Sequence, residues 1–141
     1  MTKQHSGGLL AVHAHPDDES ITMGATLARY AAAGVPVTLV TATLGECGET
    51  MYGALDGLDA QHADQLGGYR YAEWQAACRA LGVRDGRFLG GLGAFRDSGM
   101  AGEPSARHPR AFIRAQRGGL DHGRAVAALA AVIAEVRPAV V

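Results

Sequence analysis

Hydrophobic positions along this chain change their period several times, and each change marks an element. Leu9 to Ala14 is apolar except for His13 and has the length of a short buried strand. From Ser20 to Ala33, Ile21, Met23, Leu27 and Tyr30 recur near helical spacing, and Gly34 follows as a C-terminal glycine. Val35 to Thr43 is rich in β-branched residues and predicts a second strand; strand, helix and strand with short joints imply a right-handed parallel crossover. A second helix is predicted from about Gly68 to Leu81, with Tyr71, Trp74, Cys78 and Leu81 on one face and Gly82 ending it. Arg87 to Gly90 predicts a third, shorter strand. Gly123 to Arg137 predicts a last helix with a stripe of Val126, Leu129, Val132, Ile133 and Val136, which Pro138 stops. Ala139-Val140-Val141 reads as a fourth strand just beginning.

This alternation predicts an α/β fold, a Rossmann-like open parallel sheet with helices on both faces and its site at the C-terminal ends of the strands. Residues 1–141 are expected to be the N-terminal part of one such domain, cut at the start of the fourth strand. From Gly90 to Gly119 the chain is mostly glycine and charge, which suggests a lid or pocket wall. Arg110, Arg114 and Arg117 in that stretch can align on a short helix, either facing a polar substrate or simply solvated.

Composition narrows the function classes. With 141 residues, 48% of them hydrophobic, the chain can bury one core. A formal charge of −1 offers no electrostatic case for nucleic acid or an acidic membrane. No apolar run approaches the roughly 20 residues of a membrane helix, and Met1 to Gly7 lacks the features of a secretion signal, so a cytoplasmic location is expected. Cys47 and Cys78 form no Cys-x-x-Cys pair, so neither a disulfide framework nor a thiolate metal site is suggested. Cys78 reads as a helix core residue, and Cys47 as a polar filler in a loop that can approach the site.

The chemistry is concentrated where the first strand ends. His15-Pro16-Asp17-Asp18-Glu19 packs an imidazole and three carboxylates into five residues. Neutral imidazole and carboxylate oxygen are good ligands for a divalent ion such as zinc, and His15 and Asp18 can converge on one ion across the proline. Asp17 lies between them as the candidate general base, near a water whose pKa a metal lowers to about 7. Glu19 is expected to give support, as a negative charge at a helix N-terminus or as an acceptor holding a neighbour in place. The same residues make a good helix start. Capping needs only one acceptor, however, and three adjacent acids repel one another unless a cation offsets them. His13 reads as a packed or supporting histidine rather than a ligand. A hydrolytic zinc site takes three protein ligands, and none of His62, His108 and His122 has a convincing partner to make it the third.

At this level the sequence resembles a known family. Ala14-His15-Pro16-Asp17-Asp18-Glu19 after a first strand resembles the signature of the LmbE-like, or PIG-L, zinc N-deacetylases, which remove acyl groups from amino sugars. Val12 to Ser20, Thr43 to Glu46, His62 to Arg70 and Arg96 to Gly102 resemble the branch that acts on N-acetylglucosaminyl-inositol in mycothiol biosynthesis. The resemblance implies Zn2+ as cofactor, with other divalent ions such as Fe2+ able to replace it, and a small amino-sugar inositol substrate. It makes His15 and Asp18 zinc ligands and Asp17 the base, has Arg70 and Asp97 bind sugar or inositol hydroxyls, and adds Glu49 as a weaker candidate for that pocket. The family's third ligand and its oxyanion-stabilising histidine and tyrosine lie in a downstream segment this chain does not contain. Two rivals stand beside this reading. One is the related amidase that cleaves mycothiol S-conjugates. The other is a nucleotide-binding α/β domain without hydrolytic activity, suggested by Gly90-Gly91-Leu92-Gly93, which lacks the third glycine and the helix of a dinucleotide motif.

Overall fold

The parallel strands β1 (Leu9–His13), β2 (Val37–Thr41) and β3 (Asp85–Phe88) form the sheet, in the order β1-β2-β3. The structure is a computed structural model that describes residues 7–51, 53–99 and 120–141. Helix α1 (Asp18–Ala32) joins β1 to β2, α2 (Leu66–Leu81) joins β2 to β3 after a 3-10 turn at Gly53–Leu58, and α3 (Leu120–Val136) follows β3. Leu9 pairs with Val37 and Thr41 with Phe88 at the two ends of the ladders. On the free side of β1, Val140 bridges Leu9 in parallel, and Leu10 donates to the Val140 carbonyl at 3.0 Å. The chain thus visits β1, β2 and β3 outward and returns to the other side of β1. The ligand crevice of an open α/β sheet lies at such a reversal, beyond the strand C-termini.

Strand alternation divides the core into two layers. Leu9, Ala11, Val37 and Leu39 face Leu27 of α1 and Trp74 and Cys78 of α2, whereas Leu10, Val40, Leu89 and Phe95 pack with Ala125 of α3. Helices therefore cover both faces, as the alternating pattern predicts. Leu27 and Leu39 are wholly buried, each contributing about 2 kcal/mol of transfer free energy. The indole N–H of Trp74 donates to Thr41 Oγ1 at 2.9 Å, which satisfies two polar groups inside the first layer.

Several boundaries and faces differ from expectation. Helix α1 starts at Asp18 rather than Ser20, which puts Asp18 and Glu19 in its first turn. β2 begins after Pro36, which has no N–H to give a ladder, and α2 starts at Leu66. β3 lies two residues earlier than predicted, because Asp85 is anchored to β2 by a hydrogen bond from Thr38 Oγ1 at 2.9 Å. On α1, Ile21 is 78% exposed, so Met23 and Leu27 carry the buried stripe. On α3, Val126 and Ile133 face outward, and small Ala125 and Ala128 join Leu129, Val132 and Val136 against the sheet. His108, Arg110, Arg114 and Arg117, like Met100 to Gly102, lie outside the described residues. Among the described residues no helix is long and apolar enough to cross a membrane.

Candidate functional site

Three loops leave the C-terminal ends of β1, β2 and β3, and the chemistry-bearing residues gather where they meet. Asp17 occupies the position before α1 with φ 103° and ψ −34°. A non-glycine residue held in such a conformation costs of order 1–3 kcal/mol and persists only where its surroundings enforce it. The enforcement is visible. The Asp17 N–H donates to Glu19 Oε2 at 3.1 Å, and its carbonyl accepts from Ser20 and Ile21. Glu19 is wholly buried, and its second oxygen accepts the Ser20 hydroxyl at 2.7 Å. The Asp17 carboxylate makes no capping bond to the helix, so capping is not the task of its side chain.

That carboxylate instead meets Arg70 of α2, whose Nη2 lies 2.7 Å from Asp17 Oδ2 and donates to the Pro16 carbonyl at 2.6 Å. Nη1 donates to the Gly45 carbonyl at 3.2 Å. A Cβ on Gly45 or Gly48 would collide with this guanidinium, so both glycines make room for it. Asp17 remains half exposed, beside an open cleft of about 310 Å3 lined by Pro16, Ser20, Glu73 and Trp74.

His15 and Asp18 converge as their spacing predicts. The His15 N–H donates to Asp18 Oδ2 at 2.9 Å, and His15 Nδ1 lies 3.7 Å from the same oxygen. Two ligand atoms on a tetrahedral zinc, each about 2.0–2.1 Å from it, lie roughly 3.4 Å apart, so this pair fits a divalent ion with a shift of a few tenths of an ångström. Among the described residues no group of three His, Cys, Asp or Glu side chains converges as a ligand set.

On its other side His15 reaches Asp97, in the loop after β3, with Nε2 at 3.2 Å from Oδ1. This hydrogen bond raises the imidazole above its usual range against the opposing effect of burial. Burial would raise the Asp97 carboxyl, but bonds from His15 and the backbone N–H groups of Gly99 and Cys47 outweigh it and hold the group down to about 2. The Asp97 N–H donates in turn to buried Glu46 at 3.0 Å. Glu46 is a residue that the sequence analysis did not single out, and its one signal was its place in the Thr43 to Glu46 stretch.

The remaining candidates are more dispersed. Glu49 is exposed on the loop beyond Gly48. His62 is exposed and paired with Asp59 at 2.8 Å, and His13 keeps a buried Nε2 without a hydrogen-bond partner among the described residues. Cys47 does approach the site: its N–H donates to Asp97 Oδ2 at 3.1 Å and its thiol to the Asp97 carbonyl at 3.6 Å. Gly90 to Gly93 forms turns with no helix following at once, which removes the support for a dinucleotide loop.

Known proteins match this arrangement closely. The chain is 71% identical over 130 residues to the 1D-myo-inositol 2-acetamido-2-deoxy-alpha-D-glucopyranoside deacetylase of Nakamurella multipartita, covering 92% of this chain and 44% of that protein. It is 61% identical over 133 residues to the protein of the same name from Acidothermus cellulolyticus, covering 94% and 44%. It therefore spans less than half the length of these curated relatives. Among solved structures, N,N'-diacetylchitobiose deacetylase from Pyrococcus horikoshii superposes with a TM-score of 0.52 at 27% identity, covering 78% of this chain and 37% of that one. The zinc-inhibited form of teicoplanin deacetylase Orf2 shares the fold, with a TM-score of 0.55 at 23% identity, covering 94% and 54%. The PIG-L family of GlcNAc-PI de-N-acetylases matches over residues 10–141, and with the signature residues gathered at the end of β1 the chain belongs to that family.

Proposed function

We propose that the protein carrying this chain is a zinc-dependent deacetylase that hydrolyses the acetamide of N-acetylglucosaminyl-inositol, releasing acetate and a free amine. The observation that carries the reading is the approach of His15 to Asp18 at the mouth of β1, with Asp17 held between them in the chain, in a chain 71% identical to a deacetylase of that inositol glycoside. Residues 1–141 are the N-terminal part of a single α/β domain in this reading, which agrees with their alignment to 44% of the relatives.

His15 and Asp18 hold the metal, and the third protein ligand comes from outside the described residues. A zinc ion held by these residues would supply a Lewis acid for the acetamide carbonyl and for the attacking water. Asp17 removes the proton from that water and later returns it to the departing amine. Its strained backbone and the Arg70 contact hold the carboxylate in one direction, which favours proton transfer at a fixed distance. Arg70 commits three of its five N–H donors to Pro16, Asp17 and Gly45, so it holds the base loop and keeps donors for sugar hydroxyls. Glu49, exposed on the β2 loop, remains a candidate for those hydroxyls.

The test is acetate release from N-acetylglucosaminyl-inositol by the full-length protein. Asp17→Asn should lower kcat by about 10²–10⁴, and undiminished turnover would remove Asp17 from the mechanism. His15→Ala and Asp18→Ala should each lower zinc content in elemental analysis; full stoichiometric zinc in both would contradict the ligand assignment.

A further inference from the structure

The segment from Asp64 to Arg70 touches all three strand-end loops at intervals of three residues. Arg70 holds Pro16, Asp17 and Gly45. Gly67 lies against Glu46, where a Cβ would stand 2.8 Å from the glutamate Cγ. Asp64 accepts a bond from Arg96 Nη2, one residue before Asp97. The first two contacts secure the base loop and the β2 loop, and the third reaches the β3 loop beside the carboxylate that the resemblance sets toward sugar or inositol hydroxyls.

The residues around Arg96 give that contact its meaning. Phe95 is buried in the second core layer against Gly90, so the chain before Arg96 is fixed. Asp97 after it leans on the β2 loop, giving its N–H to Glu46 at 3.0 Å and taking the Cys47 thiol on its carbonyl at 3.6 Å. Oδ1 faces the Gly99 N–H and His15, while Oδ2 takes only the Cys47 N–H among the described residues. A carboxylate oxygen has two acceptor sites, so Oδ2 keeps one for a substrate hydroxyl. Its aim depends on how firmly the β3 loop is held. The Asp64 bond raises the Arg96 guanidinium above its usual range against the effect of burial, and the charge of buried Glu46 adds to this, so the cation lies within reach of both acids.

Asp64 is prepared for its partner. Its backbone is left-handed at φ 54°, a region that aspartate enters more readily than most residues. Its N–H donates to the Asp59 carbonyl at 2.8 Å, and the Asp59 carboxylate takes the N–H groups of Gln61 and His62 at 2.9 Å. The carboxylate of Asp64 therefore stands on a bonded turn. Arg96 and Asp64 are 42% and 46% exposed, so the pair adds little to the stability of the whole fold, and its effect is local. We infer that Arg96 and Asp64 are positioning residues for substrate binding: their ion pair ties the β3 loop to the turn before α2 and keeps Asp97 Oδ2 turned toward a sugar or inositol hydroxyl. The inference rests on the deacetylase reading, with Asp97 as a hydroxyl ligand. Neither member of the pair touches the substrate.

Two measurements on the full-length protein test it. KM for N-acetylglucosaminyl-inositol should rise about 3–5-fold in Arg96→Ala, because a smaller fraction of the protein holds the loop correctly, while kcat and zinc content stay near wild type. Asp64→Ala should raise KM equally and the double variant no further, since either change breaks the same pair. Arg96→Lys, which keeps the charge, should stay closer to wild type. A wild-type KM in Asp64→Ala beside a raised KM in Arg96→Ala would overturn the inference and make Arg96 itself a substrate contact. A double-variant rise equal to the product of the two single rises would overturn it as well. The second measurement needs no substrate. Hydrogen exchange of the Cys47 and Asp97 amides, followed by NMR, should quicken about 3–5-fold in either single variant, with the Leu39 amide of β2 unchanged; unaltered exchange at both loop amides would overturn the inference. A wild-type protein that releases no acetate would refute the deacetylase reading instead, and the exchange rates would still decide whether the pair holds the Asp97 loop.

Discussion

Gly48→Ala probes the packing around Arg70 with little backbone complication, because Gly48 is not among the glycines with positive φ. The added Cβ would stand 2.6 Å from Arg70 Nη1, closer than real Cβ contacts, and 3.3 Å from the Gly45 carbonyl oxygen. The flexible guanidinium must give way, so the cost equals the hydrogen bonds it abandons. The Nη1 bond to Gly45 is long at 3.2 Å and is worth about 1.5 kcal/mol for a charged donor. If the whole fork pivots, the 2.6 Å bond to Pro16 goes too, a further 1.5–2 kcal/mol or so. The pair with half-exposed Asp17 adds at most about 1 kcal/mol after solvent screening. The expected destabilisation therefore lies between about 1.5 and 4.5 kcal/mol. In an Arg70→Ala background the obstacle is gone, and Gly48→Ala should then be neutral or stabilising by about 0.5 kcal/mol through the unfolded chain. Urea unfolding of wild type, both single variants and the double variant in the full-length protein measures the difference. A Gly48→Ala cost that is the same in both backgrounds, within the roughly 0.5 kcal/mol error of additivity, would refute the claim that this glycine is there for Arg70.

Three further outcomes follow from the same structure. Glu19→Ala strips the Asp17 N–H of its acceptor and should reduce kcat for acetate release well below that of Glu19→Gln, which keeps an acceptor for Asp17 and a partner for Ser20; equal rates in the two variants would count against Glu19 as the brace of the base. Thr41→Val leaves the buried Trp74 indole N–H unpaired, which should cost about 1–3 kcal/mol in urea unfolding, and a neutral result would mean that the bond contributes nothing. Burial pushes the Cys78 thiol up to about 11, so only about one thiol in a thousand is ionised at pH 8; mass spectrometry should find Cys78 unmodified by iodoacetamide in native protein and modified after unfolding, and rapid native labelling would contradict its burial.

Much of the fold was legible because period and chemistry agreed. β1, α1, β2 and α2 were found within two residues, and their order alone implied a parallel sheet with the site at its strand ends. The third strand was offset because Asp85-Gly86-Arg87 carries no apolar signal. What makes it a strand comes from β2, through the Thr38 bond to Asp85, and from Trp74 packed over Gly86, where a Cβ would stand 2.7 Å from the indole. Propensity does not report such imposed pairing. The faces of α1 and α3 were read from their largest residues, and Ile21 and Val126 nevertheless point outward. On α3 the contact with the sheet is made partly by alanines, whose weak hydropathy hides the buried face.

The site divides along a similar line. His15, Asp17 and Asp18 were legible because five consecutive residues carry the whole signal, and local chemistry needs no knowledge of the fold. The support around them was not, because it is spread across the chain. Arg70 reaches back to Asp17 and Pro16, and Asp97 reaches back to His15. The strand order explains why. With β2 between β1 and β3, the β2 loop lies between the metal motif and the β3 loop, and it supplies the connection: Cys47 gives an N–H to Asp97, Glu46 takes one from it, and Gly45 takes a bond from Arg70. A lone glutamate and two glycines in a polar loop look like solvated filler on paper. They become the bracing of the proposed metal site only when three parallel strands end side by side, and that is also why a change such as Gly48→Ala, outside the signature, is expected to reach Asp17, the proposed base.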